Sequence, residues 1–484
     1  IKNISALSNK ITDILNNIMT ESKQRYLGEV IKVNQSLVMV NGLKKVVVGE
    51  VLKFRSGQWG QVREIEETGA EAVVFSRESI KVGTKVAGTG SRFKLRTHEQ
   101  LLGKVYNALG EKIVGTKNEA HLMKGHETKV QPAGIEVRER ISQALETGVP
   151  VVDLMVPMGE GQRELLVGDR TTGKSDLALK ILEFQVSRGA IGVYACIGKR
   201  KSEIMAVVSR LKKAKILKKC VVVAASSADS LGEIFEAPYA AMTISEYFMS
   251  RGKRVILVMD DLSTHAQFYR ELALLGQSFP GRESYPGDIF YVHSSLLERA
   301  GNFSKKEGSI SCLPICHTKA GDLTGYIPTN LMSMTDGHVY FDNELYVKGV
   351  RPAINPFLSV TRVGRQAQTP LRRELSRELL SLITQYEKTQ RYTKFGAELS
   401  ESFKRILSRG ESLWRFLRNE QWLNLDSKVI SYLGVMILIG KWSAKKEIKI
   451  DDDFIDKVEK LVDGCSDLST IKKKLVKRLI KNVE

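Results

Sequence analysis

Residues 168–175 read GDRTTGKS, the G-x-x-x-x-G-K-[ST] spacing of a loop that wraps phosphates. Gly168 and Gly173 let the backbone approach closely, and Asp169, Arg170, Thr171 and Thr172 between them present successive N–H groups. Lys174 adds a point charge at the outer phosphates, and Ser175 offers its hydroxyl to Mg²⁺. The apolar run ELLV leads in and a helix begins near Lys174, so the start of that helix adds positive potential. A metal-bound nucleotide also calls for an acid at the end of a second buried strand. RVILVMDD provides it: Asp260 directly follows the apolar run and takes a water-mediated contact to the metal, while Asp261 suits a turn cap. Whether the nucleotide is hydrolysed depends on a further group, a carboxylate or Gln that positions water beside the γ-phosphate.

These residues need elements to hold them. Ile4, Leu7, Ile11, Leu15 and Ile18 recur at helical spacing and predict an amphipathic N-terminal helix. From Gly28 to about Lys94 short β-rich runs alternate with Gly and Asn-Gly turns, the pattern of a small antiparallel barrel or sandwich. From about Leu101 to Pro370 continuous apolar runs alternate with helical stretches, which implies a parallel sheet buried on both faces. Beyond Pro370 helical periodicity with dense charge runs on, with loops expected at Leu425–Ile430 and Lys445–Phe454. The fold class is therefore multidomain: an N-terminal helix and β-barrel over 1–90, a central α/β P-loop (recombinase-like) nucleotide-binding domain with a parallel sheet over 91–370, and a C-terminal α-helical domain over 371–484.

Composition narrows the function classes. A chain of 484 residues with 42% hydrophobic and 27% charged residues is that of an ordinary globular protein with more than one core. Five scattered cysteines fit a reducing compartment and core thiols; Cys312, Cys316 and His317 lack the spacing of a haem or zinc site. The longest apolar run, Ile430 to Gly440, is about half of what spans a bilayer, so any membrane role is expected to be peripheral. The net charge of +19 is concentrated at Lys199–Lys219, with nine basic residues and one acid, and at Ile471–Lys481. Without interleaved aromatics these clusters read as solvated helix faces, and no nucleic-acid partner is expected.

Three further stretches carry a resemblance: PGRESYPGDIFYVHSSLLERA at 280–300, YIPTNLMSMTDGHVYF at 326–341 and GVRPAINPFLSVTRVGRQAQ at 349–368. With the GDRTTGKS loop and VMDDLSTHA, they resemble the α subunit of the F-type ATP synthase over nearly the whole chain. The resemblance implies a hexamer alternating with catalytic β-like subunits around a γ-like rotor stalk, a stator or other anchor docked at the N-terminal helix, and a place on the inner, cytoplasmic face of a membrane or its organelle equivalent. It implies that this chain holds Mg-ATP or ADP without turning it over. Catalytic β chains carry a water-activating glutamate after the third-strand glycine and α chains a glutamine. Here Lys199 follows Gly198, and a protonated ammonium has no acceptor for a water proton, so it could pair with the γ-phosphate instead. Arg362 in SVTRVG matches the α-chain arginine that reaches the nucleotide of the adjacent β chain, and Ser359 a serine associated with activity. Thr361 stands where the family usually has Ser. Around adenine the resemblance carries over Tyr346, Arg351, Pro352, Asn419 and Gln421, although FLRNEQ departs from the family's LLKQGQ.

Two other readings share the nucleotide core. One is a hexameric nucleic-acid motor of the Rho type, against which Lys199 and the missing aromatic-rich RNA-binding barrel argue. The other is an α-like subunit of a specialised F-type-derived ATPase in a motility or surface complex, with the hexamer kept and its stator and rotor partners replaced.

Overall fold

A computed structural model describes residues 27–114, 124–304, 307–393, 400–418, 424–442, 450, 452–463, 465 and 467–481. The N-terminal helix expected over the first residues lies outside them. The described residues divide into two compact units, one built from those up to Pro132 with Val193–Tyr247 and Met259–Arg299, the other from Ala133–Gly192, Phe248–Val258 and those from Ala300 onward.

In the first unit six antiparallel strands close into a barrel: β1 (Leu27–Asn34), β2 (Leu37–Asn41), β3 (Glu50–Phe54), β4 (Trp59–Glu66), β5 (Gly69–Val74) and β6 (Lys85–Arg92), in the order β1-β2-β5-β4-β3-β6. Alternate residues turn inward, so Val30, Val38, Val40, Leu52, Phe54, Val62, Ala72 and Val86 form one core. Gly69 turns the β4–β5 hairpin at φ 152°, where a Cβ would lie 2.4 Å from Val40 O. Leu37, Val51, Val73 and Phe75 pack with Leu231 and Leu272, and Arg63, held by Glu71 Oε1 of the barrel at 2.8 Å, ties the barrel to the rest of the unit by donating to Leu272 O at 3.3 Å and Ser278 Oγ at 2.5 Å. The helix Lys201–Lys213 buries Ile204, Val208 and Leu211 and leaves Lys201, Lys212 and Lys213 exposed. The Lys-rich stretch there is a solvated helix face.

In the second unit the strand Glu164–Asp169 lies between Ser309–Thr318 and Gly337–Phe341, parallel to both. Val360–Thr361 adds an antiparallel edge against Gly337–His338. All three parallel strands are almost entirely buried, as continuous apolar runs require. The C-terminal helices Pro370–Thr393, Glu401–Leu417 and Ser427–Leu438 share a core of Leu375, Leu379, Leu413, Phe416, Ile430 and Leu433. The loop expected at Leu425–Ile430 gives way to helix at Ser427: Asp426 caps the end by accepting from Lys428 N at 2.8 Å, and Val429 and Ile430 are fully buried. The fold class read from the sequence holds: a six-stranded N-terminal barrel, a central mostly parallel sheet and C-terminal helices. All five cysteines are buried and none is in a disulfide, and no described helix is long and apolar enough to cross a membrane.

Candidate functional site: a nucleotide loop and a clamped acid pair

Gly168 adopts φ 153°, and a Cβ there would lie 2.5 Å from Phe341 O, so only glycine lets the loop leave the strand. Gly173, at φ 97°, caps the helix Lys174–Ser187 with no side chain on its first N–H groups. Lys174 is 3% exposed and folds back over the loop, donating to Gly168 O at 2.7 Å and to Asp169 O. Thr172 Oγ1 donates to Asp169 O at 2.8 Å. The Asp169 carboxylate turns away and accepts from Thr318 Oγ1 at 2.5 Å and Gly321 N at 2.8 Å, which fastens the loop to the end of the neighbouring strand. Arg170 and Thr171 are exposed, and Ser175 is partly exposed on the first helical turn. The loop is thus built as its sequence predicts, with its amine stored on backbone carbonyls.

A cleft beside the loop is lined by Thr172, Gly173, Asp176, Leu177, Lys180, Phe341, Arg351 and Pro352. Arg351 and Pro352, expected near adenine, thus line the same cleft as Thr172 and Gly173. The Arg351 guanidinium lies 3.6 Å from the centre of the Tyr346 ring and donates to Tyr346 O at 2.9 Å and Val350 O at 2.8 Å. One face of Tyr346 is therefore covered by Arg351, and the aromatic ring on the cleft wall is Phe341. Phe341 went unnoticed in the sequence because its place depends on the pairing of Gly168 with Phe341 across parallel strands. Asn419 and Gln421 lie outside the described residues.

Arg362 is exposed just after the edge strand, its N–H donating to Asp336 O at 3.1 Å. Ser359 is spent on the backbone: its Oγ accepts from Tyr340 N at 2.9 Å and donates to Asn355 O at 2.7 Å. The Thr361 hydroxyl donates to Pro157 O at 2.7 Å. Phe357, Leu358 and Val360 are between 40% and 49% exposed and form an apolar rim next to Arg362.

In the other unit Asp260 ends the strand Arg254–Asp260 and Asp261 follows it; they are 3% and 1% exposed. Lys199 ends the strand Ile191–Lys199, and its Nζ lies 2.7 Å from Asp260 Oδ1 and 3.2 Å from Asp261 Oδ2. Tyr194 OH donates to Asp260 Oδ2 at 2.7 Å. Asp261 caps the next helix, accepting from Thr264 N at 2.6 Å and Thr264 Oγ1 at 3.0 Å, so the turn-cap expectation for it holds. Burial opposes the charge on Lys199, but the two carboxylates outweigh it and raise its pKa above the ordinary lysine value. Burial, and then the Asp260 charge, push the Cys196 thiol up as well. Where the sequence suggested that Lys199 could meet a phosphate, the structure engages it with the acid pair. Ser175 offers a hydroxyl to a magnesium ion travelling with the nucleotide; Asp260, the expected metal acid, takes the Tyr194 hydroxyl on Oδ2, while its Oδ1 faces Lys199 as an ion pair and has no hydrogen-bond partner. Among the described residues no group of three His, Cys, Asp or Glu side chains could hold a metal ion by itself.

The nucleotide-binding domain of the ATP synthase alpha/beta family matches residues 148–361, which take in the loop, the acid pair and Ser359. Over longer spans the chain is 36% identical to the ATP synthase subunit alpha of Helicobacter acinonychis, across 93% of this chain and 90% of that protein. The subunit alpha of Helicobacter pylori strain G27 gives the same figures, and that of Clostridium acetobutylicum is 38% identical across 82% of this chain and 79% of its own length. Likeness of this degree from barrel to C-terminal helices, with the phosphate loop in place, makes the chain a member of the ATP synthase alpha/beta family.

Proposed function

We propose that this chain is the nucleotide-holding, non-catalytic α-like subunit of a rotary ATP synthase or ATPase head. It keeps ATP or ADP on the loop Gly168–Ser175 and works as an enzyme only within its complex. The observation that carries the reading is Lys199: at the position from which a carboxylate would activate water stands an ammonium engaged by Asp260 and Asp261. Such a group has no lone pair to take a proton. The three-domain division at about 90 and 370 follows the same reading, since β6 ends at Arg92 and the first C-terminal helix starts at Pro370.

The chain's catalytic contribution is then made to its neighbour. Arg362 is exposed beside the apolar rim of Phe357, Leu358 and Val360, the composition of a protein interface with a charged group at its edge. A guanidinium fixed there reaches the phosphates held by an adjacent β-like subunit, where such arginines are commonly worth about 10³–10⁵ in rate. A γ-like rotor stalk and a stator complete the assembly, peripheral to a membrane. Ser359 serves this arginine indirectly, by bonding the backbone that leads to it.

The test is ATPase activity of the isolated chain and of the purified complex. The isolated chain retains nucleotide without turnover, and Arg362→Ala in the complex abolishes turnover while nucleotide stays bound to this chain. Turnover by the isolated chain that is lost on changing Lys174 would overturn the reading.

A further inference from the structure

A nucleotide held on residues 168–175 presents a sugar as well as phosphates and a base. We propose that Asp176 reads that sugar by accepting from the ribose 2′ and 3′ hydroxyls, so that the site selects ribonucleotides over their deoxy analogues. The inference rests on the reading of the loop as a nucleotide site and adds a specificity to it.

The sugar joins the phosphate chain to the base, so a side chain that faces the cleft between the groups holding those two ends faces the sugar. The phosphates rest on the loop N–H groups and on Lys174. Arg351, Pro352 and Phe341 form the wall for the base. Beyond Thr172 and Gly173 the cleft is lined by Asp176, Leu177 and Lys180, all on the helix Lys174–Ser187. Asp176 directly follows Ser175 and is the first residue after the loop to line the cleft. All of these residues belong to the same compact unit.

Of the three side chains on that helix only Asp176 can accept a hydrogen bond. Leu177 has no polar atom and the Lys180 ammonium has donors alone, whereas a carboxylate takes several donors on its two oxygens. A vicinal diol supplies two O–H donors side by side, which is the complement of a carboxylate. The Asp176 side chain is 50% exposed, so a ligand in the cleft can reach it.

A bare carboxylate beside a triphosphate would repel it. Here Lys180 Nζ, one helical turn further along, lies 3.2 Å from Asp176 Oδ2 and balances the charge that the phosphates meet. The pair removes most of the acid's field at a distance and keeps its capacity to accept at close range. An acid on a first helical turn also favours the helix dipole. That role is indifferent to the sugar, so a ratio between nucleotides separates the two.

The experiment is equilibrium binding of ATP, 2′-deoxy-ATP, 3′-deoxy-ATP and tripolyphosphate to the purified full chain. The wild type binds ATP about tenfold more tightly than either deoxynucleotide, the low end for a hydrogen bond to a charged group because the carboxylate is half exposed. D176A binds the three nucleotides alike within about twofold, and it binds tripolyphosphate at least as tightly as the wild type. Thermal unfolding confirms that the variant is folded. A wild-type chain that binds ATP and both deoxynucleotides equally overturns the inference and leaves the nucleotide-holding reading intact. A preference for ATP that persists in folded D176A overturns the assignment to Asp176, and so does a D176A chain that loses tripolyphosphate, which would make the acid a support of the loop. A wild-type chain that binds neither nucleotides nor tripolyphosphate overturns the nucleotide reading and the inference with it.

Discussion

The Arg163 guanidinium grips the Asp336 carboxylate through two parallel bonds, Nε to Oδ2 at 3.0 Å and Nη2 to Oδ1 at 2.8 Å, while Arg163 N donates to the same Oδ2 at 2.9 Å. The relationship matters because the Asp336 carbonyl is what receives Arg362 N. The fork therefore holds the turn from which the exposed arginine departs. Asp336→Asn keeps the size and loses the charge: a hydrogen bond to a charged group is typically worth about 1.5–3 kcal/mol against about 0.5–1.5 kcal/mol for a neutral one. The expected outcome is a lower unfolding midpoint and at least tenfold lower ATPase of the complex, with ATP binding to this chain unchanged. Equal loss of ATP binding would show that the turn supports the loop instead of the arginine.

Ser359 makes a separate prediction. Its hydroxyl accepts from Tyr340 N and donates to Asn355 O, stitching the edge segment to the strand Gly337–Phe341. Ser359→Ala leaves a backbone N–H without its acceptor, a penalty of about 1–3 kcal/mol. Ser359→Thr restores the bonds and recovers both stability and the activity of the complex. A direct chemical role would instead leave stability unmoved in the alanine variant, so comparing the midpoints of the three proteins decides between them.

What the sequence makes legible follows from what is local. Period-two alternation foretells the barrel strands, and unbroken apolar runs foretell Glu164–Asp169 and Ser309–Thr318. The glycine spacing of the loop is local, eight residues from Gly168 to Ser175, although the space that excludes a Cβ at Gly168 is set by Phe341 on the paired strand. The clamp of Lys199 on Asp260 joins residues 61 positions apart, and the cover that Arg351 gives Tyr346 depends on side-chain direction; neither has a local signature. The helix from Ser427 was missed although its signal was present, an Asp followed by Val429, Ile430 and Leu433 at helical spacing. A short apolar run after a polar turn is ambiguous until something packs against it, and Leu375 and Leu379 do so next to Gly434.

A pH prediction comes from the barrel-bearing unit. Phe235 O can only accept, so His265 Nε2 carries its hydrogen toward it, and His265 Nδ1 accepts from His293 Nε2 at 3.0 Å. Burial lowers His265 to about 4; the Phe235 carbonyl and Asp261 work against the shift and Lys129 adds to it. His293 is held well below the usual value by burial and then by His265. Between pH about 6.5 and about 4 the unfolded chain binds protons that the folded chain refuses, so stability is fully present above 6.5 and falls with acidification. For His265 alone the loss approaches about 3 kcal/mol at pH 4. Urea midpoints measured at pH 8, 6.5 and 5 therefore decline more steeply for the wild type than for His265→Phe, which starts lower because it leaves Phe235 O unpaired. Parallel declines would mean that the pair is protonated in the fold.

The cleft wall yields the last prediction. Arg351 is held in place by the Tyr346 ring and two carbonyls, and it lines the cleft with Pro352 and Phe341. A base packed there touches the guanidinium and the Phe341 ring, whereas the phosphates rest on the loop. Arg351→Ala removes one wall and leaves the loop as it was, so ATP binds about tenfold more weakly, equivalent to about 1.4 kcal/mol. Tripolyphosphate, which has no base, binds this variant and the wild type equally. Tyr346→Leu acts only through Arg351: it removes a cation–π contact of about 0.5–1 kcal/mol and weakens ATP by about threefold. An Arg351→Ala chain that loses ATP and tripolyphosphate alike would place Arg351 on the phosphates, and a Tyr346→Leu loss exceeding that of Arg351→Ala would make the tyrosine itself the platform for the base.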